Sequence, residues 1–292
     1  MTATVVAVLG ATGVYGRHLV PRLAAAGYPV RALVRTPASA AISAVCGAEV
    51  RAADIFDGAS LRRGLNGCDV AINLATSLPS PAKQGGDFDL NDRVRREGVP
   101  IFLDACAAIG VHRVVQQSIA MIHSGGGDAW ADEDAMFPLP GDSIAGRAVM
   151  AVRDMEAAVA ASALDWLILR GALFYGPGTG FDDDWFARAR ANKLRLPGTG
   201  DDYVTLVHIA DMADATVAAL SRWPSRQSLI VADDAPPRWR DLFGYIAAAA
   251  GGPAPAPGGP VRFPSFRVSN RRAREVLAWS PRFPSYRIGL AR

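Results

Sequence analysis

The sequence predicts an α/β protein built on a doubly wound parallel sheet, and three observations support this prediction. Short apolar runs of strand length alternate with longer segments of helical period, helical segments end in glycine, and a glycine-rich turn follows the first apolar run. Strands that alternate with helices form βαβ units, which place helices on both faces of a parallel sheet. The predicted strands are VVAVLG (5–10), PVRALV (29–34), AEVRAAD (48–54), DVAINLA (69–75), HRVVQQS (112–118) and DWLILRG (165–171), and the clearest helices are GRHLVPRLAAAG (16–27) and LNDRVRREGVPIFLDACAAIG (90–110).

The alternation changes after residue 171. Loops rich in Gly and Asp flank a short helical segment, and VTLVHI (204–209) and SLIVAD (228–233) then return as strands. We therefore expect a smaller lobe beside the sheet. The predicted division assigns residues 1–170, rejoined by about 204–232, to the sheet domain, and residues 171–203 and 233–292 to the lobe.

Composition limits the class of protein. The chain has 292 residues, 50% of them hydrophobic, and a formal charge of +3 that is spread along the sequence, so no nucleic-acid partner is indicated. No apolar run reaches the roughly 18 residues of a membrane span, so we expect no membrane partner and a cytoplasmic location. Cys46, Cys68 and Cys106 form no CxxC pair, so we expect neither a disulfide framework nor a metal site.

The turn GATGVYG is a candidate phosphate-binding loop. Gly10 permits a tight turn, Gly13 lets the backbone approach a pyrophosphate, and Gly16 lets the next helix pack closely on the strand. The free N–H groups and the dipole of that helix then face the anion. We predict a dinucleotide site, with a purely structural turn as the alternative. The candidate cofactor-binding residues of the turn are Gly10, Thr12, Gly13, Val14, Tyr15 and Gly16.

The end of the second predicted strand selects the form of the cofactor. An acidic side chain there would hydrogen-bond the ribose hydroxyls of NAD, whereas an arginine suits the 2′-phosphate of NADP. The strand ends in VRALVRTP, which places Arg35 at that position with no acid nearby. The sequence therefore favours NADP(H) over NAD(H), with Arg31 or Arg17 as candidate assistants. A solvated surface charge is the alternative for Arg35.

These motifs, together with others in the same order, resemble the extended or atypical short-chain dehydrogenase/reductase superfamily, and more narrowly its NAD-dependent epimerase/dehydratase group. The similarity includes NLAT (73–76), LILRGALFYGPG (167–178), VTLVHIADMADA (204–215) and SNRRAREVLAWSPRFPSY (269–286), so it covers nearly the whole chain. The resemblance implies a Rossmann-type doubly wound parallel sheet with a smaller C-terminal substrate-binding lobe. It also implies cofactor contacts from Asp54, Ile55, Ala75 and Thr76.

One motif of that superfamily is absent. Its members normally carry a Tyr-xxx-Lys pair on the helix after the fifth strand, where the tyrosine is the general acid/base and the lysine lowers the pKa of that tyrosine and holds the nicotinamide ribose. Alignment of that helix on Glu156 places Ala148 at the tyrosine position and Val152 at the lysine position. The two lysines of the chain, Lys83 and Lys193, have no tyrosine four residues before them.

Two nearby residues are therefore candidates for the chemistry. Ser118 matches the earlier serine of the superfamily's serine-rich strand end, with Ile119 where the catalytic hydroxyl would lie. His123 has an intrinsic pKa suited to proton transfer near neutrality, although a structural histidine is the alternative. We predict that Ser118→Ala or His123→Ala lowers turnover and leaves nucleotide affinity intact, if these residues are catalytic.

Candidate substrate-binding residues lie around the same cleft. Arg147 directly precedes Ala148 and suits an anionic substrate, Tyr175 belongs to the rim, and Tyr203 approaches from the lobe. An acidic loop after the fifth strand could supply a carboxylate, with an exposed run of charges as the alternative. The acidic residues of this loop are Asp128, Asp132, Glu133 and Asp134.

The sequence leaves three functions open. The first, which we favour because a cover over a cleft serves a ligand, is an NADP(H)-dependent reductase, epimerase or dehydratase with a non-standard acid/base. Its small-molecule substrate would be a natural-product intermediate or a nucleotide-sugar-like compound. The second is a nucleotide-binding protein without redox turnover, either a sensor or a structural subunit. The third is an enzyme of a redox-neutral step, such as a cyclisation, that keeps the cofactor structurally. A homodimer is a further expectation.

Overall fold

The computed structural model describes residues 3–79, 86–135, 137–138, 141 and 143–291, and Lys83 lies outside them. Its strands are β1 (Val6–Leu9), β2 (Val30–Val34), β3 (Glu49–Ala52), β4 (Val70–Asn73), β5 (Arg113–Ile119), β6 (Asp165–Gly171), β7 (Leu173–Tyr175), β8 (Arg195–Pro197), β9 (Leu206–His208), β10 (Gln227–Val231) and β11 (Ala256–Gly259). Its α-helices are α1 (Val14–Ala25), α2 (Ala41–Val45), α3 (Gly58–Leu65), α4 (Phe88–Arg93), α5 (Val99–Ala108), α6 (Ile144–Ala161), α7 (Phe181–Arg190), α8 (Ile209–Arg222), α9 (Trp239–Ala249), α10 (Arg271–Leu277) and α11 (Tyr286–Gly289).

Seven parallel strands form the central sheet in the order β3-β2-β1-β4-β5-β6-β10. Strands β1 and β4 are buried along their whole length, as expected for strands covered on both faces. The strand order reverses between β1 and β4, and the crevice at such a switch point is where doubly wound sheets bind ligands. The predicted fold class and the six predicted strands of the sheet are therefore confirmed.

Helices cover both faces of the sheet. One hydrophobic core lies under α1 and α8, and a second lies under α3, α5 and α6. The helix predicted over 90–110 is α4 and α5 joined by a π turn, Val94–Gly98. The N–H of Val99 donates to the carbonyl of Val94, and Pro100, which follows it, has no N–H to offer the helical ladder. The sequence pattern gave the extent of this helix but not the π turn.

The glycine turn brings α1 against the sheet. Gly10 has a φ of 84°, and a Cβ there would lie 2.9 Å from the carbonyl carbon of Leu74. A Cβ at Gly16 would lie 2.4 Å from the carbonyl oxygen of Ala11, so only glycine lets the helix approach the turn this closely. The second residue of α1, Tyr15, packs between α1 and α8, where its hydroxyl hydrogen-bonds Thr216.

The later part of the chain adds smaller sheets beside the central one. Strand β9, predicted over 204–209, pairs with β7, and β8 pairs with β11. Strand β10, predicted over 228–233, instead joins the edge of the central sheet beside β6. Helices α7 and α9 pack through aromatic side chains: the ring of Trp185 lies 6.1 Å from that of Trp239 and 5.7 Å from that of Phe243.

Gly16→Ala tests the close approach of α1. The added methyl group meets the Ala11 backbone, which cannot move away as a flexible side chain can, so we expect the free energy of unfolding to fall by about 2–3 kcal/mol in urea titrations. Gly244→Ala is the matched control, because a Cβ at this helical glycine has no neighbour within 4 Å. That control is expected to be neutral or stabilising. Equal effects of the two substitutions would contradict the packing argument.

Candidate functional site

The N-terminus of α1 is built to receive an anion. Its N-cap is Gly13, which is exposed and makes no side-chain cap, and the first turn contains no acidic residue. By contrast, α3 and α4 are capped by carboxylates, since Asp57 and Asp87 each accept two backbone N–H groups. The donors of α1 at the switch point are therefore left to a ligand. These residues fit the pyrophosphate of a dinucleotide.

Other residues of the turn differ in what they offer. Thr12 is half-buried, and its carbonyl accepts from Nε of Arg17 at 2.8 Å. Val14 is half-buried beneath the loop that contains Gly178. The side chain of Tyr15 faces the core, and burial raises the pKa of its phenol. Tyr15 can therefore contact a nucleotide only through its backbone.

Arg35 is the open cation at the end of β2. It is exposed, and no described residue hydrogen-bonds or ion-pairs with its side chain. Arg31 is not open, because its Nε contacts Glu49 at 2.6 Å and its Nη1 donates to the carbonyl of Asn66 at 2.6 Å. The guanidinium of Arg31 is therefore used by protein groups, whereas that of Arg17 lies beside the glycine turn and donates to the carbonyl of Thr12.

The loops after β3 and β4 carry the remaining candidate cofactor contacts. Asp54 is half-buried and accepts from the N–H of Phe56 at 2.9 Å, which leaves its other carboxylate oxygen for a ligand. Ile55 is buried against Gly98, so its side chain belongs to the core. The N–H of Ala75 donates to Asn73, and Thr76 is exposed.

Helix α6 presents no proton donor where the resemblance leads one to expect a tyrosine and a lysine. Ala148 is half-buried and Val152 is completely buried. The buried guanidinium of Arg95, from the π turn, donates to the carbonyl of Ala148 at 3.3 Å and pairs with Asp92 at 3.3 Å. Arg147, also on α6, is exposed on the helix surface.

The two candidate catalytic residues belong to one buried polar network. Ser118 donates to Glu156 at 2.5 Å, and Glu156 is held by Arg170 through bonds of 2.7 and 3.0 Å. The Nη1 of Arg170 in turn contacts Nε2 of His123 at 3.1 Å. The network joins β5, β6, α6 and the loop after β5, so it ties the sheet to the helix that covers it.

The hydrogen bonds of His123 set its protonation. Its Nδ1 lies 3.1 Å from the carbonyl of Ala135 and must donate, so Nε2 accepts from Arg170. Burial, and then the charge of Arg170, lower the pKa of His123, which keeps the imidazole neutral. Both nitrogens of His123 and the hydroxyl of Ser118 are thereby committed to protein groups, and both residues are almost fully buried. Their predicted catalytic role finds no support in this geometry.

The two candidate tyrosines lie in different surroundings. Tyr175 is completely buried, its hydroxyl is 3.4 Å from the carbonyl of Ser285, and its ring packs edge-on to His208. The expected substrate contact by Tyr175 is therefore corrected, since its side chain has no free surface. Tyr203 is half-buried, with the guanidinium groups of Arg238 and Arg267 each 4.4 Å from its ring centroid.

The acidic loop is fastened to the C-terminal part of the chain. Asp128 pairs with Arg238 at 2.5 Å, and Asp134 pairs with Arg272. Glu133 accepts from the N–H of Ile230 at 2.8 Å. These partners lie about a hundred residues or more away, so sequence spacing could not reveal them, and the loop is neither a simple exposed charge run nor a set of open carboxylates.

Asp233, just beyond β10, is a titratable residue that the sequence analysis did not single out. It is buried, neither carboxylate oxygen has a hydrogen-bonding partner, and burial raises its pKa well above the ordinary value. Among the described residues, no group of three or more His, Cys, Asp or Glu side chains is arranged to hold a metal ion. Within the same residues, no helix is both long and apolar enough to cross a membrane.

Comparisons with known proteins identify the family and agree with the fold. The family model described as NAD(P)H-binding matches residues 10–222. A relative from a Streptomyces species, 3-diazoavenalumate denitrifying reductase, is 35% identical over 98% of this chain and 99% of its own length. The solved structure of MoeE5 in complex with UDP-glucuronic acid and NAD is 26% identical, with a TM-score of 0.77 over 98% of this chain and 96% of that one. The solved structure of DesIV, the dTDP-glucose 4,6-dehydratase from Streptomyces venezuelae with NAD and TYD bound, is 19% identical. It aligns with a TM-score of 0.82 over 99% of this chain and 95% of its own, which shows a similarity of fold.

Glu156→Gln tests whether the buried network holds the fold. The substitution keeps an acceptor for Ser118 but leaves the buried charge of Arg170 without a counter-ion, so we expect a loss of about 3–5 kcal/mol in the free energy of unfolding. Glu97→Gln, which breaks the exposed pair with Arg93, is the control and is expected to change stability little. The double variant Glu156→Gln with Arg170→Gln should recover part of the loss. If the two single substitutions change the free energy of unfolding additively, the ion pair between Glu156 and Arg170 is contradicted.

His208 gives the structure a specific pH dependence. Burial lowers its pKa from 6.5 to about 4 in the folded protein, and its Nδ1 accepts the N–H of Ala210. The unfolded chain therefore binds the proton first, and stability is lost as the pH falls from about 6.5 towards 4. In His208→Asn, which keeps an acceptor for the N–H of Ala210, we expect roughly 2–3 kcal/mol of this loss to be absent. The control is His112→Asn at an exposed position, which should retain the loss. Unfolding titrations at several pH values give the measurement. An unchanged pH slope in His208→Asn would contradict this assignment.

Proposed function

Because the chain belongs to the NAD(P)H-binding family, we propose that it is an NADPH-dependent reductase that replaces the diazo group of an aromatic ring with hydrogen. The finding that carries the proposal is the pair Ala148 and Val152 on α6, where the resemblance leads one to expect the acid/base tyrosine and its lysine. Neither side chain can donate or accept a proton. The substrate class must therefore be one whose reduction needs no proton at that place.

Reduction of an aromatic diazonium group meets this condition. In carbonyl reduction the oxygen becomes negative as the hydride arrives, so an acid has to protonate it. In the proposed reaction a hydride forms the new C–H bond, and the C–N bond breaks with its electron pair leaving on dinitrogen. The ring ends neutral and the nicotinamide ends oxidised, so atoms and charge balance without a proton donor on α6.

The similarity to a reductase of a diazo compound supports the same conclusion. The 3-diazoavenalumate denitrifying reductase covers this chain almost from end to end, at 35% identity. Such coverage means that the sheet, the dinucleotide turn and the C-terminal part are all matched. We infer the chemical class of the reaction from it.

The residues of this chain then have simple tasks. A reduced nicotinamide cofactor, when bound, would supply the hydride. The uncapped N–H groups that follow Gly13 hold the pyrophosphate, and Arg35 holds the 2′-phosphate of NADPH. Ala148 is half-buried and offers an apolar side chain with no proton to donate, whereas Val152 lies in the core beneath α6. The network of Ser118 and Glu156 fixes this helix on the sheet.

The reaction is tested with NADPH that carries deuterium at both hydrogen positions of the nicotinamide C4. We expect NADPH to be consumed with a diazonium derivative of a phenolic acid, gas to be released in equal amount, and deuterium to be found on the ring carbon that carried nitrogen. A ketone on the same ring is the control and is expected to leave NADPH unchanged. Turnover of the ketone, or denitrified product without deuterium, would contradict the proposal.

Arg35→Ala tests the choice of cofactor. Loss of a charge-assisted contact with the 2′-phosphate is expected to weaken NADPH binding about tenfold and to leave NADH binding nearly unchanged. Arg222→Ala, at the exposed end of α8, is the matched control, and calorimetric titration with each nucleotide gives the measurement. An equal loss of affinity for NADPH and NADH would contradict a contact between Arg35 and the 2′-phosphate.

A further inference from the structure

A groove lies between the loop after β5 and the segment that leads into α10. The N–H of Ala131 donates to the carbonyl of Arg267 at 2.8 Å, and the N–H of Ser269 donates to the carbonyl of Ala131 at 2.9 Å, so the two segments are held side by side. The open space beside them has a volume of about 310 Å³, which lies at the lower end of the range for small-molecule sites. We call it the Trp130 groove, and it is lined by Trp130, Ala131, Asp132, Ser269 and Arg271.

Trp130 offers this groove a fixed aromatic surface. The guanidinium of Arg267 lies 4.3 Å from the Trp130 ring centroid, and Tyr203 lies against the same guanidinium at 4.4 Å. Half of Trp130 is still exposed, at 50% of its surface. A planar ligand that stacks on it pays little ordering entropy, because the indole is already held by a cation–π contact.

Arg271 gives the groove an open positive charge. It is exposed, and no described residue pairs with its guanidinium, whereas its neighbours Arg272 and Arg274 pair with Asp134 and Asp234. The opposite charge in the groove is Asp132, whose Oδ1 accepts the N–H of Asp134. The groove thus combines an aromatic face with a cation and a separate acceptor.

We propose that the Trp130 groove binds a planar aromatic carboxylate that carries a hydroxyl group. The ring stacks on Trp130, the carboxylate pairs with Arg271, and the hydroxyl donates to Asp132. One side of the groove belongs to the loop that continues from β5 through the 3-10 turn Ala120–His123, and in doubly wound folds ligands bind beyond the carboxyl ends of the strands. The further step, that this ligand is the reductase's own substrate, rests on the proposed function.

Calorimetry of the full chain with para-hydroxycinnamate tests the groove itself. We expect binding that weakens about tenfold in Arg271→Gln and in Trp130→Leu and is unchanged in Arg222→Gln, and that is about tenfold weaker for the neutral para-hydroxycinnamamide. Circular dichroism checks that the variants, altered at exposed positions, are folded. Absence of binding to the wild-type chain, or equal affinity in wild type and Arg271→Gln, would overturn the proposal.

Steady-state kinetics with a diazonium derivative of para-hydroxycinnamate tests the substrate role. Arg271→Gln is expected to raise KM about tenfold with kcat within about twofold, because the contact is equal in the ground and transition states. An unchanged KM would overturn the substrate role while the calorimetric site stands. If the wild-type chain binds para-hydroxycinnamate in the groove but reduces no diazonium compound, the proposed reaction fails and the site does not.

Discussion

The buried ion pair between Glu156 and Arg170 determines how the functional region is assembled. A buried guanidinium and carboxylate are stable only together, so β6, which carries Arg170, must lie under the part of α6 that carries Glu156. Ser118 links β5 to this pair through its hydrogen bond to Glu156, and His123 links the segment after β5 through its contact with Arg170. The loop that leaves this network goes on to form one wall of the Trp130 groove. The network and the Trp130 groove therefore share the chain segment that follows β5.

The pairing of these buried polar groups with one another explains why the region has few free catalytic groups. Hydroxyl, imidazole and carboxylate side chains are present, but each is used to satisfy another buried polar group. An unsatisfied partner would cost more than a typical hydrogen bond contributes, so these groups are not easily released for proton transfer. Under the proposed function, which places Ala148 and not an acid on α6, the reaction would depend on positioning and on the reactivity of the bound cofactor. Substrates with a good leaving group suit such a site.

Much of the fold could be predicted because its signals are local. The alternation of apolar runs and helical segments located β1 to β6, and glycine spacing located the turn before α1. The side-chain roles depended on distant partners and were harder to predict. Tyr15 is directed into the core by Thr216, and Tyr175 by the chain around Ser285, both from more than a hundred residues away. The role assigned to Arg35 stays a prediction, and it follows only from the position of this residue at the end of β2.

The same distinction applies to the candidate sites. Trp130 carries no pattern of its own, and it becomes part of a groove only when residues 265–271 return beside it. The predicted division of the chain into a sheet domain and a lobe stays a prediction, although β10 does rejoin the central sheet. Sequence motifs thus indicated the nucleotide, while the place for a second ligand came from the three-dimensional contacts.

The uncapped start of α1 also links the lifetime of the protein to metabolism. A helix whose first donors lack side-chain partners gains stability whenever the nucleotide is bound, by about 2.7 kcal/mol at a hundredfold excess over the dissociation constant. The unfolded fraction, on which cellular proteases act, therefore rises when the nucleotide pool is depleted. Oxidised and reduced nucleotide carry the same pyrophosphate, so this stabilisation would follow the total nucleotide pool and not its redox state.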